Sequence, residues 1–286
     1  MKKITKNIYL YVTQTGINVG CIVSDDGVVL VDLPMHAAEV QALRAAVAEI
    51  SPARIRSVVF TAPDRMTSEA VAAVNAPIVV HEAAMAHLRI PVEVTPVYEG
   101  YSSLGGYEPD ILPEMTFTDT CTVTVGQKHP AFVDVQYVGG YAPGACYITV
   151  RDSGVLFVGE HVVIGQPAAL AYGDFGKWND ALNTLKKNKK VTTLIPGRGP
   201  AGDVSSVSET LDYIKLGQTR VKELVRRNKS RSEVSAIVPD ILAAYALKPG
   251  KNAKLPFDVT SITQIVRAGL ERIYDDLKQE ALVNSN

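Results

Sequence analysis

The chain is poor in most of the features that announce a function. Cysteine occurs three times in 286 residues, at Cys21, Cys121 and Cys146, and no Cys-x-x-Cys pair exists. An odd number at wide spacing argues against a disulfide framework and for a reducing compartment. Each thiol sits among strand-forming apolar residues, where it reads as a small buried hydrophobe. Neither sign of charge dominates: 29 basic residues against 30 acidic ones leave a net charge of −1. Nothing therefore steers the chain toward nucleic acid. The densest basic run, Lys186–Lys190, reads as a solvated helix C-terminus, where cations complement the dipole. No apolar run approaches the roughly 20 residues of a membrane span. The opening MKKITKNIYLYVTQ is basic but lacks the uninterrupted apolar stretch of a signal peptide. A cytoplasmic protein without membrane contact is the expectation. Histidine is also scarce: His36, His81, His87, His129 and His161 are scattered, and no His-x-His string occurs.

What is present is an ordinary globular balance, 47% apolar and 21% charged. The length suits one large α/β domain, alone or with an appendage. Ile8–Val12, Ile17–Ser24 and Val28–Asp32 read as strands of an antiparallel meander, with Asp25-Asp26-Gly27 as a turn. Val40, Leu43, Val47 and Ile50 give Ala37–Ile50 helical spacing. Ser57–Phe60 and Ile78–Val80 read as strands, and Ser68–Val74 and Glu82–Leu88 as short helices. Residues from about Pro91 to Pro113 show no period and read as a long loop, with Tyr98, Tyr101 and Tyr107 as an amphipathic lid. Strands resume at Thr116–Thr118, Cys121–Val125, Phe132–Val138, Cys146–Val150 and Val155–Val158. An amphipathic helix over Asp174–Leu185 and a strand over Thr193–Ile195 follow.

Beyond Gly202 only helices are predicted. Ser206-x-x-Glu209 and Ser230-x-x-Glu233 read as capping boxes. Val207, Leu211, Ile214, Val221 and Val225 line the first helix, and Val234, Ile237 and Ile241 the second. Ile262, Ile265, Val266, Leu270 and Ile273 line a third, from near Thr260 to Leu277. Such stripes are packing faces rather than cofactor boxes.

Four segments, taken in order, carry a resemblance. Asn18–Asp32 (NVGCIVSDDGVVLVD) is a strand pair and turn that delivers an aspartate. Val58-Val-Phe-Thr61 is a strand leading into a loop. Val138-Gly-Gly-Tyr-Ala-Pro-Gly144 is a glycine-rich turn, followed by Val155-Leu-Phe-Val-Gly-Glu160. Leu194-Ile-Pro-Gly-Arg-Gly199 closes the series. Over roughly residues 5–200 this succession resembles the metallo-β-lactamase-fold hydrolases. The resemblance implies an α/β protein, a four-layer αβ/βα sandwich over residues 1–203, with a helical C-terminal extension over 204–286 packed on it.

The same resemblance implies a di-zinc centre, and at its ligand positions this chain departs. Ala62 and Asp64 stand where the family has the first two histidines of its metal loop, and Met66 and Thr67 where it has an Asp-His pair. Tyr141 and Arg198 replace two further histidines, and Glu160 replaces a bridging aspartate. Zinc needs several N, S or O donors at about 2.0–2.3 Å. Ala62 and Met66 offer nothing suitable, and a fixed guanidinium repels a divalent cation. No metal and no cofactor is expected. Asp64 and Glu160 would then be buried carboxylates in need of neutralisation, which Arg65 or Arg198 can supply through a bidentate pair.

The expected pocket comprises Asp32, His36, Asp64, Arg65, Thr67, Tyr141, Glu160 and Arg198. The resulting expectation is a protein of hydrolase fold without the di-zinc ligands, acting as a binding, regulatory or structural subunit. The alternative is a hydrolase of an ester, lactone or thioester, working without zinc or at a displaced metal site built from His36, Asp64 and Glu160. In that case Glu160, Asp64 and Tyr141 are the candidate catalytic groups. A small molecule or a partner protein is the expected ligand, with a homodimer through the C-terminal helices as a further option.

Overall fold

Apolar runs without polar alternation imply strands buried on both faces, and the layers of the fold follow from that. The computed structural model describes residues 1–88, 110–245 and 259–283. In the first sheet β1 (Lys2–Lys3), β2 (Ile8–Val12), β3 (Asn18–Val23) and β4 (Val28–Val31) form the antiparallel meander. Strands β5 (Ile55–Val59), β6 (Ile78–His81) and β7 (Met115–Phe117) extend it in parallel, so the sheet runs β1 to β7 in chain order. The second sheet contains β8 (Thr120–Val125), β9 (Ala131–Tyr137), β10 (Cys146–Val150), β11 (Val155–Val163) and β12 (Thr193–Arg198), in the order β12-β11-β10-β9-β8. Only the β11–β12 pair is parallel there.

Adjacent residues of one strand enter different cores. Val28 and Leu30 of β4 pack with α1 (Ala37–Ile50) and α2 (Ser68–Val74), through Val40, Leu43 and Ala70. Val29 and Val31 instead face the second sheet and meet Val133, Ile148 and Phe157. On β11, Val155 and Phe157 join this inter-sheet core, while Leu156 and Val158 turn toward the outer helices. The result is the αβ/βα sandwich, with a third core under α4 (Phe175–Lys186), α5 (Val207–Arg226), α6 (Val238–Ala244) and α7 (Val259–Val283). Val207, Ile214 and Val221 of α5 and Ile265, Val266, Leu270 and Ile273 of α7 belong to the same cluster as Leu156, Val158 and Trp178. The predicted stripes are therefore packing faces.

Of the two predicted capping boxes, one forms. The Ser230 side chain and Glu233 exchange bonds as expected, opening a 3-10 segment over Arg231–Ile237. Ser206 makes no such bond: it ends a 3-10 turn, Val204–Ser206, whose cap is the Asp203 carboxylate. Glu209 reaches away instead and accepts from the Gly165 N–H at 2.7 Å. An acidic residue two positions upstream of Ser205 captures the free N–H first.

Two strands run longer than their apolar pattern. β11 continues past Val158 to Val163, and β12 past Ile195 to Arg198. A bulge at Gly159 interrupts the alternation, and the polar residues beyond it remain buried. Cys21 and Cys146 are buried, and Cys121 is half-buried on the edge strand β8, so it is less enclosed than its apolar neighbours imply. Burial pushes the Cys21 thiol up to about 12 and raises Cys146 as well, which makes both poor nucleophiles. Tyr98, Tyr101 and Tyr107 of the expected lid lie outside the described residues. No helix among the described residues is long and apolar enough to cross a membrane.

Trp178 anchors the outer core. Its ring is fully buried, stacks on Phe175 at 6.5 Å and donates from Nε1 to the His161 carbonyl at 3.1 Å. Trp178→Ala is expected to cost about 3–5 kcal/mol of stability, read from urea unfolding followed by far-ultraviolet circular dichroism.

Candidate functional site

The groups that could do chemistry gather where β4, β5, β11 and β12 end. Asp32 closes β4 with φ of 63°, a left-handed conformation that a residue with a side chain adopts at a cost. The reason lies in its carboxylate, which accepts from the Thr61 N–H at 2.8 Å and from the Thr61 hydroxyl at 2.7 Å. Thr61 follows β5 and presses on Gly159, where a Cβ would lie 2.3 Å from the hydroxyl oxygen. Any larger residue at Gly159 would separate the two sheets here. Burial raises the Asp32 carboxyl to about 6, against the opposing pull of Arg65 and the two Thr61 hydrogen bonds.

After Thr61 the chain makes a 3-10 turn, Pro63–Arg65, that is buried throughout. The Tyr141 hydroxyl donates to Asp64 Oδ2 at 3.1 Å, and Arg65 Nε lies 3.8 Å from the same oxygen. Arg65 then reaches across to the other half of the fold, where Nη2 donates to Glu160 Oε1. Arg198 arrives from the end of β12 and donates from Nε to that same Oε1 at 3.1 Å. Its Nη1 donates to the Thr15 carbonyl at 2.9 Å. Asn18 holds this last loop in place, donating to the carbonyls of Pro196 and Gly199 at 2.8 Å each. Gly197 must lack a side chain, because a Cβ would lie 2.7–2.8 Å from Gly159 C and Glu160 N. Glu160, Arg65 and Arg198 are 1%, 1% and 2% exposed, which places all three charges inside the protein.

The neutralisation expected for the two carboxylates is present, but its geometry is not the expected fork of one guanidinium on both carboxylate oxygens. Two guanidinia instead share Oε1, and Glu160 Oε2 has no hydrogen-bond partner among the described residues. Arg65 comes from the turn after β5 in the first sheet and Arg198 from the end of β12 in the second.

Of the eight expected residues, Asp32, Asp64, Arg65, Tyr141, Glu160 and Arg198 form this cluster. His36 and Thr67 lie elsewhere. Thr67 caps α2, accepting from the Ala70 N–H at 3.2 Å, and its hydroxyl donates to the Met35 carbonyl at 2.6 Å. His36 is exposed and bonds Glu69 at 2.8 Å. The displaced metal site of His36, Asp64 and Glu160 is therefore not assembled. No group of three or more His, Cys, Asp or Glu side chains among the described residues is placed to hold a metal ion.

Several participants carry no signal on their own. Thr61 and Asn18 sit at the ends of apolar runs, where a single polar residue reads as a boundary. Strand alternation turns His161 away from Glu160. Its Nε2 lies 2.5 Å from the Gly139 carbonyl and its ring 6.3 Å from that of Trp178. Burial holds its imidazole down at about 4 and hence neutral. His81 is buried at the end of β6 and stacked on Tyr137 at 4.0 Å.

No protein-family model and no curated protein sequence matches this chain. Solved structures do. A metallo-beta-lactamase from Pontibacter korlensis is 22% identical and covers 74% of this chain and 96% of its own, with a TM-score of 0.57. The DIM-1 metallo-beta-lactamase is 17% identical over 73% of this chain and 93% of its own, also at 0.57. A metallo-beta-lactamase family protein from Thermus thermophilus is 17% identical over 97% of this chain and 95% of its own, at 0.67. The chain has the metallo-β-lactamase fold. At these identities the likeness concerns the fold alone. The Thermus protein covers so much of this chain that the likeness extends into the C-terminal helices.

The positions at which the sequence resemblance implies zinc ligands include Ala62, Asp64, Met66, Thr67, Tyr141, Glu160 and Arg198, so the donor set can be tested directly. It does not suit zinc. Ala62 and Met66 are 2% exposed and belong to hydrophobic cores, and Thr67 caps a helix. Glu160 is already bound by two fixed cations, and the Tyr141 phenol acts as a hydrogen-bond donor. A divalent ion at contact distance from Glu160 would lie beside two fixed guanidinium charges, which repel it.

Two tests follow from the geometry. Glu160→Gln removes the carboxylate that two buried guanidinia share and is expected to cost about 3–5 kcal/mol, measured by urea denaturation. Loss of less than about 1 kcal/mol would mean the pairing is dispensable. For Asp32 the folded value lies above the ordinary carboxylate value of about 3.9. Its contribution is therefore full below about pH 4 and is lost as pH rises through about 6. Relative to Asp32→Asn, the wild-type chain should lose about 1–3 kcal/mol between those limits and stay level above them.

Proposed function

We propose that this metallo-β-lactamase-fold chain is not a zinc hydrolase, and that a salt-bridge core has taken over the place of its metal centre. Its role is then that of a binding, regulatory or structural protein. One observation carries the reading: Arg65 and Arg198 converge on a single oxygen of Glu160, with all three residues at most 2% exposed. Zinc hydrolysis requires an open coordination position and a bound water of lowered pKa. Guanidinia that occupy the carboxylate leave neither function to these residues. A general base must also hold a proton-accepting oxygen toward substrate, whereas Glu160 faces two arginines inside the protein. Free thiols at Cys21, Cys121 and Cys146 support a reducing, cytoplasmic setting.

The competing reading is a metal-free esterase, lactonase or thioesterase that uses Glu160, Asp64 and Tyr141. Metal content and turnover separate the two. Purified chain dialysed against zinc should retain far less than one equivalent by elemental analysis. No ester, lactone, thioester or phosphodiester should turn over above background. Stoichiometric zinc would overturn the proposal, and so would turnover that Glu160→Gln abolishes while the fold survives.

A further inference from the structure

Away from the buried cluster, one concave surface carries charge of a single sign. It lies at the opposite end of the first sheet, where the C-termini of α1 and α2 meet the segments entering β5 and β6. The cleft measures about 620 Å³, and every charged residue that lines it is an arginine: Arg44, Arg54 and Arg56. They come from α1, from the α1–β5 connection and from β5, so no helical repeat explains their meeting.

Two of the three are held in place. Arg44 donates from Nη1 to the Ala73 carbonyl at 3.0 Å. Arg56 donates from Nε to the Asp26 carbonyl at 3.1 Å, and its stem lies against Gly27, where a Cβ would fall 2.4 Å from Arg56 Cγ. Its Nη2 stands 3.5 Å from Asp26 Oδ2. These contacts use few of the five N–H groups that each guanidinium carries. Part of the positive charge offsets the carbonyl ends of α1 and α2. Arg54 is exposed and forms no ion pair among the described residues, so it adds charge that the helix ends do not require. Apolar residues line the cleft as well, Val47, Ile55 and Val74 among them.

We propose that this cleft binds a small organic phosphate, with the phosphate held by Arg44, Arg54 and Arg56 and an apolar body against Val47 and Val74. Guanidinium forks match phosphate oxygens in pairs, and the volume lies within the range of about 300–1,000 Å³ usual for small-molecule sites. The site is independent of the buried salt-bridge core and of the proposed function, since it shares no residue with either.

Phenyl phosphate, inorganic phosphate and benzoate, titrated at constant ionic strength and followed by calorimetry, test the proposal. Phenyl phosphate should saturate with a Kd of about 0.1–1 mM, and each of the other two should bind at least about fivefold more weakly. Arg44→Ala combined with Arg54→Ala should weaken phenyl phosphate about tenfold. Lys186→Ala combined with Lys187→Ala, which removes two exposed cations elsewhere, should leave it unchanged. No saturation by about 10 mM, equal affinity in the arginine variant, or an equal loss in the lysine variant would each overturn the site.

Discussion

A carboxylate held at 1% exposure must be neutralised, and Glu160 is neutralised by two arginines that reach it from opposite halves of the sandwich. Transfer of one such ion into a medium of low dielectric costs on the order of 20 kcal/mol before any compensation, and still several after relaxation. Attraction between opposite charges is strengthened in the same medium. The two effects oppose each other closely, so the arrangement stands or falls on its hydrogen bonds. Arg198 satisfies this condition through Thr15, and Asp64 through Tyr141. Glu160 Oε2 and Arg65 Nη1 fall short of it among the described residues. A network satisfied in part specifies geometry more than it adds stability.

That geometry explains why the strand ends are built as they are. Arg65 belongs to the turn after β5 and Arg198 to the end of β12, so their common target ties the two sheets together across the junction. Asn18 repeats the link from β3 to the β12 loop, and Thr61 repeats it between β5, Asp32 and Gly159. A metal ligated from both loops would join the same segments. Guanidinium pairing offers an equivalent tie with protein groups alone, without a coordination position for water.

The layers were legible from sequence because burial on both faces writes itself as uninterrupted apolar runs such as Val28–Val31. The helices were legible from their stripes. Boundaries failed where a buried polar residue extends a strand, as at Glu160 and Arg198, since pattern reading treats polarity as exposure. The six members of the cluster were identifiable only through the resemblance of the surrounding motifs. Which guanidinium would take which oxygen depends on the crossing of two sheets, and that is long-range information with no local signature. Thr67 and His36 stand apart from the cluster for local reasons: the Thr67 hydroxyl caps α2, and the exposed His36 bonds Glu69 of that same helix.

Backbone shape and chemistry are separable in this fold. Gly140 adopts φ of 84° with the Trp178 backbone 2.8–2.9 Å from where its Cβ would be, so the turn carrying Tyr141 needs glycine whatever Tyr141 does. Gly197 likewise must pass close to Glu160 whether a histidine or an arginine follows it. Such constraints come from sheet packing, and they hold the outline of these strand ends whatever side chains occupy them. Fold likeness at 17–22% identity registers that outline. The chemistry resides in a few side chains at its centre, and in this chain those side chains bind one another.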